Sequence, residues 1–417
     1  MSEPEARMFL EAETSFGLGL LQQLPLNEST IFSPLSIALA LSLVHTGAKG
    51  NSKQQINSAI CKGANDDQLK QHYSFLSSAL SSPKNGVQVN IANKAFVNPK
   101  FPIKDSFLKA ISSSYKADAQ NLNFGDAAKS AGVINDFVKT NTKGKISELV
   151  KSNDINGDTA IFLVNALYLK ADWEHEFRST STHDYDFHVK DGVTKKVPFM
   201  SENMVFRDYA SDDKVQVLSL KYMDNAYRFN IFLPKEKFGL ESYIKGLTAQ
   251  KVQELLKNVK NTAILNLRIP KMKLEKEAKL IDMLKKLGVT DIFSGGADLS
   301  EMADAKVRIS DATHKAIIES LQHLQQTGCN WNIVIVSRNQ SDDLLHSCGG
   351  LKSPSSAIFL SSPLYFSSIN SSSSFLASSL RSSCVLFCRT AYKIGYWFED
   401  IQSVGDAENS DDADDKH

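Results

Sequence analysis

Apolar residues recur along residues 1–319 with two periods, and each period predicts a different element. Met8, Phe9, Ala12, Phe16, Leu20 and Leu24 fall on one face of a helix over residues 4–24. Ser33-Pro34, followed by Leu35, Ile37, Ala38, Leu41 and Val44, predicts a second helix with Ser33 as N-cap and Pro34 at its first position. Val87–Val97 alternates at period two and reads as a strand, and Val133–Thr140 reads as a helix stopping before Gly144. Strands are expected at 215–220, at 227–233 closed by Pro234, and at Ala263–Ile269 closed by Pro270. Glu275–Leu287 reads as a helix ended by Gly288. Helices and strands mix without a regular βαβ alternation, so the expected class is α+β.

The run Thr159–Lys170 is almost continuously apolar, the mark of a strand covered on both faces. Asn165 in its middle is then a buried amide, which must be hydrogen-bonded or cost a few kcal/mol. His314, in the run Ile309–Glu319, poses the same question. A histidine satisfied in the core is the plain reading of it.

The pattern breaks near residue 320. No acidic residue lies between Asp343 and Glu399, and 13 of the 28 residues in 353–380 are serine, with no charge among them. The last nineteen residues carry eight acids. Net charge divides into +4 before the break and −4 after it, and the acidic end reads as a solvated terminus. The uncharged run is long enough to span a bilayer, but its serines, Asn370 and two prolines leave too little transfer energy, so no membrane partner is expected. Two units follow: a folded body at 1–319 and a divergent tail at 320–417, expected to be largely disordered.

Lys+Arg and Asp+Glu total 47 each in 417 residues, which argues against a nucleic-acid partner. Five cysteines, Cys61, Cys329, Cys348, Cys384 and Cys388, form no C-x-x-C pair, so neither a disulfide framework nor a zinc site is expected. The acidic start Met1–Arg7 shows no basic and apolar leader, which makes the cytosol the expected compartment. No nucleophile elbow, H-E-x-x-H or Walker loop is present, and Gly17-Leu18-Gly19 lies within a helical pattern. Trp173-Glu174-His175-Glu176 points its side chains to different faces and reads as a solvated turn. No catalytic group, metal or cofactor is expected, and the chain does not read as an enzyme.

Several segments, taken in order, resemble the serpin family, the serine protease inhibitor superfamily. They are Thr30–Ile37, Thr46–Gly50, Ile134–Val138 with Thr142–Ile146, Val164–Lys170 with Trp173 and Phe177, Leu233–Lys235, Ile269–Lys273, Leu287–Phe293, Ala297–Ser300 and His314–Ala316. The resemblance spans about residues 4–319. It implies helices packed on a large, mostly antiparallel main sheet with smaller sheets beside it. It implies that Ser33, Ser36, Asn165 and His314 form the shutter, a polar cluster beneath the main sheet, and that Trp173 sits at the breach, where the sheet first opens. The strands at 159–170 and 309–319 would flank the gap that takes an inserted loop. The implied function is suicide inhibition of serine, or cysteine, proteases, and the resemblance also admits an extracellular location, since the family has secreted and intracellular members.

After Glu319 the chain departs from the family pattern. Ser320–Gly328 holds no small-residue hinge, and counting from His314 places the bait bond near Arg338-Asn339. The family's closing strands are missing or degenerate, with Pro363–Phe366 and Val385–Phe387 as faint echoes. Two readings follow: a protease inhibitor by resemblance, or a non-inhibitory binding protein or inactive isoform that self-associates through an incomplete sheet.

Overall fold

The computed structural model describes residues 2–24, 30–82, 86–190, 193–271, 273–320, 333–338 and 383–389. In chain order the described elements begin with α1 (Glu3–Gln23), β1 (Thr30–Phe32), α2 (Pro34–Gly47), α3 (Gly50–Cys61) and α4 (Asp66–Leu80). Next come β2 (Val87–Val97), α5 (Asp105–Tyr115), β3 (Asp118–Asn121), α6 (Ala127–Asn141) and β4 (Ile161–Ala171). A run of strands follows: β5 (Thr182–Lys190), β6 (Val193–Ser211), β7 (Val215–Lys221) and β8 (Tyr227–Pro234). Then come α7 (Leu240–Gly246), α8 (Ala249–Lys257), β9 (Lys260–Pro270), β10 (Lys273–Lys279), α9 (Ile281–Lys286) and β11 (Ile309–Ser320). Two strands from the tail complete the set, β12 (Ile333–Arg338) and β13 (Ser383–Arg389). The class is α+β.

The main sheet runs β10-β11-β4-β2-β3. Its β4 lies parallel to β11 and antiparallel to β2, and β2 lies parallel to β3. Both faces of β4 are covered. Its odd-numbered apolar residues join the large core under the helices, whereas Phe162, Val164, Ala166 and Tyr168 pack in a second core with Ile134 and Val138 of α6. The near-continuous apolar run of β4 follows from that double burial. Helix α2 lies in the large core and is buried on nearly every side, which accounts for its lack of a polar face.

The second sheet runs β1-β13-β12-β8-β7-β6-β5, with β9 also on β6. Strands β12 and β13 fill the space between β1 and β8. The echo at Val385–Phe387 is therefore a paired strand, and Pro363–Phe366 lies outside the described residues. Two short pieces of the tail thus form strands, which pair with the edges that β1 and β8 present.

One element differs in type from its expectation. Residues 273–279 form the edge strand β10 rather than the first turns of a helix, and the helix is confined to Ile281–Lys286. Its glutamates and lysines suit a helix by propensity, but Leu274, Lys276 and Ala278 alternate with the exposed Glu275, Glu277 and Lys279. Pairing with β11 outweighs propensity, and a charged edge strand resists further pairing.

Among the described residues no helix is long and apolar enough to cross a membrane. Gly47 ends α2 at a close approach, where an added Cβ would lie 2.8 Å from Met302 Cβ and 3.0 Å from Phe107 Cε2. Gly47→Ala is expected to lower stability by about 1–3 kcal/mol through overpacking. A denaturation midpoint unchanged by this substitution would show that the contact relaxes freely.

Candidate functional site

Each strand that crosses the middle of the main sheet has one polar residue where its core-facing alternation calls for an apolar one. In β4 the interrupted series is Ile161, Leu163, Leu167, Leu169, with Asn165 in the gap. In β11 it is Ala312, Ala316, Ile318, with His314 in the gap. In β2 it is Val87, Val89, Ala95, Val97 around a gap that includes Asn93. Register places Asn93 opposite Asn165, and Asn165 opposite His314, so the three stand in a row.

The N-terminus of α2 meets this row from below. Ser33 caps the helix, its Oγ accepting from the Ser36 N–H at 3.1 Å. The Ser33 N–H donates to His314 Nε2 at 3.0 Å, so Nε2 is unprotonated and Nδ1 carries the ring hydrogen. That Nδ1–H donates to Asn165 Oδ1, which also accepts from Ser36 Oγ at 2.9 Å. Asn165 Nδ2 in turn donates to the Ser36 carbonyl at 2.8 Å and to Asn93 Oδ1. Ser33, Ser36, Asn165 and His314 are all fully buried. The structure thus brings together all four residues assigned to the polar cluster and adds Asn93, which the sequence analysis missed.

Burial holds His314 neutral, pushing its pKa from 6.5 down to about 3, with the bond to Asn165 acting weakly the other way. Burial likewise lowers His45, near the end of α2, to about 4, against the pull of Asp66. The unfolded chain therefore takes up protons between pH 6.5 and these values that the folded chain refuses. Stability is complete above pH 6.5 and falls with pH, by about 1.4 kcal/mol per unit for each histidine. His314→Gln is expected to remove one histidine's share of that slope. Equal slopes for the two proteins in denaturant titrations from pH 6.5 to 4 would refute the assignment.

β4 and β11 are paired directly over eleven positions, from Ile309↔Ile161 to Ser320↔Ala171. No strand lies between them; the two neighbours are closed. Just past this ladder, β4 leaves the main sheet. The Glu174 N–H donates to the Lys221 carbonyl at 3.0 Å, which anchors the chain to β7. Trp173, only 3% exposed, stacks on Tyr222 with centroids 4.7 Å apart and meets Phe177 and Phe229 edge-on. It joins the upper end of the β4–β11 ladder to the second sheet. Glu174 and His175 are more exposed and lie 3.8 Å apart, as expected of a solvated turn.

The proposed bait bond is placed differently. Arg338 ends β12, paired with Tyr227 of β8 and Ser383 of β13, and Asn339 lies outside the described residues. The backbone of Arg338 is thus held in a ladder on both sides. Among the described residues no group of three His, Cys, Asp or Glu could hold a metal ion.

A family model described as Serpin (serine protease inhibitor) matches residues 11–323. "Iris" from Ixodes ricinus is 35% identical over 290 residues, which are 69% of this chain and 76% of that protein. The "Plasma serine protease inhibitor" of Bos taurus is 33% identical over 318 residues, 75% of this chain and 77% of that protein. The crystal structure of Manduca sexta Serine protease inhibitor (Serpin)-12 superposes with a TM-score of 0.73 at 21% identity, covering 92% of this chain and 98% of that one.

Proposed function

The chain belongs to the serpin family, and on that premise we propose that its body inhibits a serine endopeptidase by inserting a cleaved loop between β4 and β11. The observation that carries this reading is the closed parallel pair over a polar row. A strand that folds back from the end of β11 runs antiparallel to it, and therefore antiparallel to β4 as well. Insertion exchanges one parallel ladder for two antiparallel ones, which are slightly more stable per residue. The added strand also buries new backbone hydrogen bonds on both sides.

In this mechanism the protease's nucleophile attacks a carbonyl in the segment after β11. The amide breaks, the new N-terminus departs, and the acyl-enzyme ester is carried with the inserting strand before water reaches it. The polar row sets the cost of parting β4 from β11, because Asn165 and His314 stand on opposite sides of the dividing line. Trp173 holds the end of β4 that must separate first.

One observation favours a second reading, that of a non-inhibitory binding protein or inactive isoform. Residues 321–332, between β11 and β12, number twelve. A strand paired along eleven positions needs about as many residues, plus at least two for its turn. Insertion by the chain's own segment thus requires β12 to leave the second sheet. If β12 stays, the slot is filled only by a strand from elsewhere, including one from a second copy of the chain.

Incubation with trypsin-, chymotrypsin- and elastase-type serine proteases, and with a papain-type cysteine protease, separates the readings. A covalent complex that survives SDS supports inhibition. Cleavage after Ser320 with no complex and no rise in melting temperature would overturn it and leave the second reading.

A further inference from the structure

The connection that leads from α6 into β4 ends in the turn Asn156-Gly157-Asp158-Thr159. This turn anchors the lower end of the β4–β11 ladder. The Thr159 N–H donates to the Asn156 carbonyl at 3.0 Å, and the Thr159 carbonyl accepts from Asn98 Nδ2 at 3.1 Å. The Ala160 N–H donates to Ser310 Oγ at 3.0 Å, at the start of β11. Thr159 and Ala160 are buried, whereas Asn156, Gly157 and Asp158 are exposed to water.

The exposed half of the turn brings an electrophile and a nucleophile together. Asn156 Oδ1 accepts from the Asp158 N–H at 3.0 Å, which folds the side-chain amide back over its own peptide. The ring closed by that bond contains both Asn156 Cγ and the Gly157 nitrogen, and joining those two atoms gives a five-membered imide. The same hydrogen bond polarises the side-chain carbonyl and is in place for the oxyanion that attack creates. The Gly157 N–H takes part in no hydrogen bond among the described residues. Without a Cβ, Gly157 neither shields its nitrogen nor restricts the rotation that closes the ring. Asn57-Ser58 is a similar pair, but it lies inside α3, where peptide N–H groups are bonded to the preceding turn.

We propose that Asn156 is a site of spontaneous deamidation, which converts it to aspartate and isoaspartate and loosens the start of β4. The Gly157 nitrogen gives up its proton and bonds to Asn156 Cγ. The Cγ–Nδ2 bond breaks, and Nδ2 leaves with that proton as ammonia. Water then opens the imide. Cleavage of the new Cγ–N bond gives aspartate, whereas cleavage of the original peptide C–N bond gives isoaspartate, whose main chain is one carbon longer. In the isoaspartyl product the acceptor of the Thr159 N–H becomes part of a free carboxylate, in a segment that already carries Asp154 and Asp158. Any effect on inhibition rests on loop insertion between β4 and β11; the modification itself does not.

The full chain, aged in mildly alkaline buffer, is digested after lysine and arginine and read by mass spectrometry. The peptide Ser152–Lys170 carries Asn153, Asn156 and Asn165, so it holds its own references. Fragmentation is expected to place a gain of about 1 Da at Asn156 and to leave the buried Asn165 unchanged. Labelling by an isoaspartyl methyltransferase should mark the same peptide. Gly157→Ala should slow the gain by at least roughly tenfold. That substitution fits the fold, because an added Cβ would come no nearer than 3.8 Å, to Gly125 Cα. The isoaspartyl form, separated by ion exchange, should melt below the unaged protein. No gain at Asn156 overturns the proposal, as does a gain equal to that at Asn153 and Asn165, or a rate unchanged by Gly157→Ala. Equal melting of the aged and unaged forms would overturn the link to β4.

Discussion

Replacing Asn165 by alanine is expected to destabilise the protein by about 3 kcal/mol or more, because several buried partners lose their hydrogen bonds at once. The Nδ1–H of His314, the Oγ and carbonyl of Ser36, and Oδ1 of Asn93 all meet this one amide. Each group left without a partner in the core costs about 1–3 kcal/mol. Asn93 is half-buried and regains a bond to water, so it contributes least. The same change removes the bond that ties β4 to β11 through side chains, so the two strands should part faster. Guanidinium unfolding gives the first quantity, and hydrogen exchange at β4 and β11 amides gives the second. A loss below 1 kcal/mol would mean that the row is only packed, not bonded.

Trp173→Ala is the second large effect, expected at about 3–5 kcal/mol for removal of a buried indole. Trp173→Phe should cost only about 1–2 kcal/mol, since a ring still stacks on Tyr222 and the indole Nε1 has no hydrogen-bond partner among the described residues. Unfolding midpoints of the two variants distinguish these values. Equal losses would show that the indole N–H does hold a partner. The alanine variant also loosens the point where β4 joins the second sheet. It should therefore raise the rate at which an added peptide enters between β4 and β11.

Much of this site was legible because its signals are local. Strand Val87–Val97 was read with its observed bounds, and the capped start of α2 follows from Ser33-Pro34. Asn165 and His314 stood out as polar residues within apolar runs. Asn93 did not, because β2 alternates and an amide in an alternating strand reads as outward-facing. The signal was its parity: it shares the odd positions of Val87, Val89, Ala95 and Val97, all of which face the core. β10 was misread because its glutamates and lysines favour a helix, whereas its partner β11 is supplied from thirty residues further along the chain. β13 was only a faint echo for a similar reason. Nothing near Ser383–Arg389 in sequence says that the edges of β1 and β12 are waiting for it. Pairing between distant segments leaves no local trace, and propensity is then a weak guide.

The position of β13 also governs how the chain is made. Among the described residues β1, formed by Thr30–Phe32, is paired only with Phe387–Arg389, nearly a whole chain length away. At the ~5–20 residues per second typical of synthesis, roughly 20–70 s pass between the appearance of β1 and that of its partner. During this interval the growing polypeptide carries an unfinished apolar sheet, exposed to the cell while the main sheet is already complete in sequence by Ser320. Ribosomes that stop before residue 383 would release a product with a finished main sheet and an open second one, suited to capture by chaperones or to pairing with its own kind. Yield is therefore expected to depend on how quickly the stretch ahead of the last strand is translated.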